Sequence, residues 1–354
     1  MVGIFWRLFA RGRVPAQRVR LSYAAASASA PPLSLVPAHN ELPCSELSGA
    51  EIEDRFYRFV FTLPAASDKA TPSEQEQAAL RRLADICGDD RYDVRSLPRM
   101  PSVLPQLLRA MKSDSVNGAK LAELIGRDPV LVGEVMRVAS SVHYRTLQPI
   151  ANLRHAVVLL GREGLRHVVS LSVMKPILLA SAGMFGQVAG QRLWDHAERC
   201  AHAAVFLSKG VCDPFEAYLA GLVSNIGIGA VTRSLDKELT GALTTYTRHF
   251  IVEGGRIASQ ITLQAARYWD LPANVIDALA ERTTVAPADI ALPMGQVLHV
   301  ANRIAMTELM AEHWLIDPLA AISDEFPSRF SHQQLDRCRK DLQRQFSSDG
   351  SRLM

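Results

Sequence analysis

Apolar residues in this chain recur at steps of three and four, the spacing that collects side chains on one face of an α-helix. Between Ser48 and Phe61 the stripe is Ile52, Phe56, Phe59 and Val60, with acidic residues at the start, where they favour the helix dipole. A break at Leu63-Pro64 leads to a second helix over Pro72–Cys87. Thr71 takes its N-cap, Pro72 the first helical position, Glu74 completes a capping box, and Gly88 is the stop. Pro101 opens a segment carrying Val103, Leu104, Leu107, Leu108 and Met111; Leu121, Leu124 and Ile125 form the next stripe, closed by Gly126. Asp128-Pro129 starts a helix holding Leu131, Val132, Val135, Met136 and Val138. Asn152 caps one that turns Leu153, Ala156, Val157 and Leu160 inward and stops at Gly161, and Gly164–Lys175 continues as far as Pro176.

The second half repeats the style over Leu193–Ser208, Pro214–Ala230, Ile257–Trp269, Ala273–Ala280 and Leu292–Met310. A polar, charge-dense helix over Ser331–Phe346 reads as a solvated or docking helix. Alternating strands with hairpin turns are missing, and no repeat of fixed period is present. The pattern predicts an all-α fold packed helix on helix.

Composition narrows the function. The 354 residues are 48% hydrophobic and 21% charged, enough for one large domain or two ordinary ones. No uninterrupted apolar run approaches the roughly 18 residues of a membrane-spanning helix, which excludes a spanning architecture. Residues 1–40 hold five arginines and no acid, while the remainder holds 34 basic and 36 acidic side chains. A body without excess positive charge lacks the phosphate-neutralising footprint of a nucleic-acid binder, so none is expected for the folded part. The five cysteines, at 44, 87, 200, 212 and 338, form no CxxC pair and read as free thiols of a reducing cytoplasm, with Cys200 a small buried hydrophobe.

The segment 1–47 is basic and rich in Ala, Ser and Pro, and three readings of it stay open. Its composition matches an organellar transit peptide. Residues 1–13 also suit a short interfacial helix in peripheral contact with a membrane, with Ile4, Phe5, Leu8 and Phe9 opposite arginine. The third reading is a flexible, disordered leader.

Candidate chemistry is sparse. His196 and His202 are six apart on one predicted helix, so they face different ways and cannot chelate one metal together. Gly227 and Gly229 give only a GxG after a helical pattern, which does not support a dinucleotide site, and no GxSxG elbow is present.

From about Leu97 to Met306 the chain resembles the HDOD domain, a bacterial output module related to the HD phosphohydrolases. Leu97-Pro98-Arg99-Met100-Pro101 fits the opening Leu-Pro-x-x-Pro, and Ile125 with Asp128-Pro129 and Leu131 fits Ile-x-x-Asp-Pro-x-Leu. Ala139-Ser140-Ser141 stands where Ala-Asn-Ser is common, a departure at Ser140. Ala156–Gly161 fits Ala-x-x-x-Leu-Gly, Trp194-Asp195-His196 opens the HD-like half, Ala220-Gly221-Leu222 leads into its core helix, and Trp269-Asp270-Leu271-Pro272 fits Trp-x-Leu-Pro.

The resemblance implies where a catalytic relative would hold metal: a His, an adjacent His-Asp pair and a later Asp. Those positions fall on His196, Ser224-Asn225 and Asn302, and a further histidine kept by many relatives falls near Arg282-Thr283. Three of four ligands are therefore neutral hydroxyl or amide groups, with no carboxylate to hold a hard divalent cation. Ser224, Asn225 and Asn302 are read as polar core residues pairing with one another or with His196.

The expectation is thus an all-α protein: a tail over 1–47, a helical extension over 48–95, an HDOD domain over 96–310 with lobes near 97–180 and 190–310, and a C-terminal helical tail over 311–354. It is expected to be a non-catalytic bacterial signalling module in the cytoplasm, with no metal or cofactor, that contacts other signalling proteins. A small-ligand pocket at the vacated site is a further option. The rival reading is a residual metal-dependent phosphohydrolase acting on a nucleotide or cyclic dinucleotide.

Overall fold

The structure is a computed structural model that describes residues 47–63, 71–88, 106–107, 109–110, 117–141, 144, 150, 152–179, 186–238, 246–317 and 327–346. The tail over 1–46, the Leu97–Pro101 motif and most of the helix predicted from Pro101 lie outside the described residues. Within them the protein is all-helical, with no β-strand.

Two short helices precede the family-like region, α1 (Gly49–Phe61) and α2 (Glu74–Gly88). Ser48 and Glu51 close a reciprocal capping box on α1, and Thr62 ends it in the left-handed conformation at φ 56°. The box on α2 is made by Ser73 and Glu76, not by Thr71 and Glu74 as the spacing predicts. Glu76 has a second task, accepting the Thr247 amide at 2.7 Å.

The first lobe comprises α3 (Gly118–Ile125), α4 (Pro129–Ala139) and α5 (Leu153–Leu179). Asn117 caps α3 and Asp128 caps α4, with Pro129 at its first position. Gly161 interrupts α5 with φ 64° and ψ 179°, a backbone that favours glycine, yet the chain resumes helix and runs through Pro176 to Leu179. The predicted stop is a kink because the helix beyond it has its own buried stripe, Leu165, Val168, Val169 and Met174.

The second lobe is built around α6 (Gly186–Leu207), α7 (Pro214–Val223) and α11 (Pro293–Glu312), with α8 (Ile226–Glu238), α9 (Arg248–Tyr268) and α10 (Ala273–Thr284) completing it. Every residue of α7 after Pro214 is buried. The stretch Pro214–Thr232 is long and apolar enough to cross a membrane by length and composition, but it lies wholly inside the protein, as core. Two glycines set the spacing of this core. A Cβ at Gly221 would stand 2.6 Å from Ala201 Cα, and one at Gly227 only 1.8 Å from the Ala258 carbonyl oxygen. Neither backbone can retreat, so α7 meets α6, and α8 meets α9, at a distance only glycine permits.

The last helix, α12 (His332–Phe346), buries Leu335, Cys338 and Leu342 against α6 and α11. Its charged face is partly spent inside the molecule. Asp341 meets His202 at 2.8 Å, and Arg339 and Gln343 both reach Glu308, at 2.5 and 2.8 Å. Of the two readings of this segment, it is a helix docked on its own chain.

Candidate functional site

Four elements converge on the position where the resemblance places a metal: α6 with His196, the turn between α7 and α8 with Ser224 and Asn225, α10 with Arg282, and α11 with Asn302. The sequence predicts one helix over Pro214–Ala230, but the chain breaks at Ser224-Asn225. The local cause is side-chain competition for backbone groups. Ser224 Oγ donates back to the Gly221 carbonyl at 2.9 Å, and the Asn225 carbonyl accepts from the Ile228 amide at 3.2 Å.

His196, Ser224, Asn225 and Asn302 are all buried. Asn225 bridges two partners: its amide contacts His196 Nδ1 at 3.0 Å, and its Oδ1 accepts from Arg282 Nη2 at 3.3 Å. Arg282 also donates to the Ser224 carbonyl at 3.2 Å. A guanidinium has donors only, so the Asn225 atom facing it is oxygen and the NH2 group faces His196. Nδ1 therefore accepts, and the proton of the neutral imidazole sits on Nε2. Nε2 is buried without a hydrogen bond of ordinary geometry. The imidazole pKa is pushed down to about 3, first by burial and then by the Arg282 and Arg199 charges, with the Asn302 backbone carbonyl pulling the other way. His196 is a neutral residue at any physiological pH.

The other two positions are not drawn into that network. Ser224 Oγ turns to the Gly221 carbonyl and lies 3.8 Å from Cys200 Sγ. Asn302 Nδ2 reaches only Met306 Sδ, at 3.8 Å, and its Oδ1 is buried with no partner. Of the pairings expected from the sequence, the structure makes Asn225 with His196 and none between Ser224, Asn225 and Asn302 side chains. Cys200 is fully buried, and burial pushes its thiol up to about 12.

Arg282, which the resemblance marks only as the place of a relative's histidine, and two residues that sequence reasoning does not single out complete the site. Arg282 inserts a fixed positive charge beside the ligand positions. Phe56 of α1 lays its ring on His196, centroids 4.8 Å apart, and is itself fully buried. Arg303, next to Asn302, donates to the Gly49 carbonyl and lies 3.6 Å from Glu53, tying α1 over the site. His299, one turn before Arg303, is pushed down to about 4 by burial and by the Arg303 and Arg282 charges. The only sequence signal for these is the mapping of a relative's histidine near Arg282; nothing local marks Phe56 or Arg303.

The residues present do not fit a divalent cation. His196 Nδ1 is taken by an amide, Asn225 Oδ1 faces a guanidinium, Ser224 Oγ is spent on a carbonyl, and none of the four mapped side chains is a carboxylate. Among the described residues no three His, Cys, Asp or Glu side chains stand together as a metal cluster. A hard cation needs anionic oxygens, and here it would meet the Arg282 charge instead.

The fold and site together define an HD-type helical core whose ligand positions carry amides, a hydroxyl and, beside them, an arginine. Residues 97–285, just over half of the chain, match the HDOD domain. The chain belongs to the HDOD domain family. A protein from Shewanella amazonensis SB2B, described provisionally as a metal-dependent phosphohydrolase, shares 17% identity with it, over 77% of this chain and 100% of that one, with a TM-score of 0.48. An HDOD domain protein of unknown function from Geobacter sulfurreducens shares 20%, over 77% and 89%, with a TM-score of 0.46. An uncharacterized protein of Treponema pallidum (strain Nichols) is 27% identical over 141 residues, 39% of this chain. The match spans about a quarter, 26%, of that curated relative's length.

Proposed function

We propose that this chain is a non-catalytic regulatory module of bacterial signalling that works in the cytoplasm through contacts with other signalling proteins. The observation that carries the reading is the Arg282–Asn225–His196 chain of hydrogen bonds: a neutral imidazole, an amide and a guanidinium stand where metal-dependent hydrolysis needs anionic ligands. Such a network occupies His196 Nδ1 and the Asn225 side chain and offers no anionic ligand to a cation that would generate hydroxide.

The experiment is metal analysis of the purified chain after exposure to Fe²⁺ and Mn²⁺, paired with turnover of bis(p-nitrophenyl) phosphate and cyclic di-GMP. The expected result is no stoichiometric metal and no hydrolysis above buffer. Bound metal together with hydrolysis that Ser224→Ala or Asn225→Ala removes would establish the phosphohydrolase reading instead.

A further inference from the structure

Tyr57, next to Phe56 on α1, lines an apolar cavity of about 50 Å³ that is partly open to the surface. Its described lining comes from the end of α1 (Tyr57, Phe61), from α8 (Ile228, Val231) and from Tyr246 with α9 (Phe250, Gly254). Tyr246 and Phe250 form one wall as a stacked pair, ring centroids 5.1 Å apart. No charged side chain faces it, and the Thr232 hydroxyl is spent on the Ile228 carbonyl at 2.7 Å.

The helix that forms the far wall carries two consecutive glycines in its interior, where glycine weakens a helix. Gly255 has a packing reason: a Cβ there would meet the Tyr57 ring at 3.1 Å. Gly254 has none among the described residues, since nothing lies within 4 Å of where its Cβ would stand. Gly254 is one of the cavity's lining residues, and open space stands where its side chain would be.

We propose that this cavity is a binding site for the hydrocarbon end of a single-chain amphiphile, with the polar head left at the mouth. The lining chemistry requires an uncharged apolar occupant. The volume decides its shape: a dry cavity of roughly 150 Å³ is needed to enclose a benzene ring, and this one is a third of that and open. A chain terminus fits, whereas a ring or a nucleotide does not. Because Tyr57 lines the cavity and its neighbour Phe56 covers His196, an occupant bears on the same helix that closes the degenerate site.

The test is isothermal titration calorimetry of the full chain with 1-decanol and with decanoate, with cyclic di-GMP as a control. Wild type binds both decyl compounds but not the nucleotide. Gly254→Ala weakens decyl binding measurably, and Gly254→Leu weakens it at least tenfold, with helical circular dichroism unchanged. Gly254→Ala adds one methyl group to open space and keeps a folded comparison available if the larger residue disturbs the helix. Wild-type affinity in both variants, or no uptake by wild type below the solubility of the alcohol, overturns the proposal.

Discussion

Replacing each of two buried asparagines by leucine should give opposite results. Asn225 satisfies His196 Nδ1 at 3.0 Å and Arg282 at 3.3 Å, so Asn225→Leu leaves a buried acceptor bare and takes one of two acceptors from the guanidinium. An unsatisfied buried group costs about 1–3 kcal/mol. Arg282 is only half-buried and keeps the Ser224 carbonyl, so its share is small, and the net loss is about 2–3 kcal/mol. Asn302 makes one long contact to sulfur and has an unpartnered Oδ1. Leucine of similar size removes that orphan, and Asn302→Leu should be neutral or stabilising by about 1 kcal/mol. Urea titration followed at 222 nm, with midpoints compared at constant slope, measures both. The assignment of the site as a satisfied Asn225 network with Asn302 outside it fails if Asn302→Leu costs as much as Asn225→Leu.

The other two predictions concern acid and packing. His196 and His299 have folded pKa values of about 3 and about 4, below the ordinary imidazole value, so the unfolded chain takes up protons first as pH falls. Their contribution is complete above pH about 6.5 and is lost on the way down to the folded values; His196 alone removes about 2 kcal/mol between pH 6.5 and 5. Urea midpoints at pH 7 and 5 should therefore converge in His196→Gln relative to wild type, and an unchanged difference would contradict the burial argument. Gly227→Ala forces a methyl group to within 1.8 Å of the Ala258 carbonyl oxygen, and the cost is about 3 kcal/mol or more. A thermal midpoint within a degree or two of wild type would refute the close approach of α8 and α9.

Local chemistry carried much of the fold to the reader of the sequence. Asp128 accepts amides of the first turn after it, as its place before Pro129 predicts, and Ser48, Asn117 and Asp213, which the sequence reading did not name as caps, do the same. The beginning of α9 at Arg248 was not legible, because Gly254-Gly255 thins the apolar stripe and the prediction starts only at Ile257. The break at Ser224-Asn225 was hidden within an apolar run, where two polar residues look like helix interior until Ser224 is seen to bond its own backbone. For the site, the four mapped positions were readable from motif order, but their partners were not. Phe56 and His196 are 140 residues apart in sequence, and Arg303 and Gly49 are 254 apart. The stripe Ile52, Phe56, Phe59, Val60 announces that α1 buries a face, and nothing in it says against what.

That hidden contact changes how the lost ligands are to be understood. α1 is held by arginines from two other helices. Arg303 binds the Gly49 carbonyl, while Arg192 binds the Phe59 carbonyl and Thr62 and stacks on the Phe59 ring at 4.1 Å. Arg58 of α1 reaches out in turn, pairing with Asp54 at 2.8 Å and donating to the Tyr246 carbonyl at 3.1 Å. Buried guanidinium groups with their acceptors supplied are costly to release, since removing one partner strands a charge. The helix over His196 is thus anchored more firmly than a passing lid would need. Restoring the ligands alone, as His at 224 and Asp at 225 and 302, would leave two obstacles. A carboxylate at 225 would pair with Arg282 in preference to a cation, and Phe56 would still exclude a nucleophilic water from the imidazole face. At the positions that the resemblance assigns to metal ligands the chain thus carries neutral side chains, a neighbouring guanidinium and an aromatic contact.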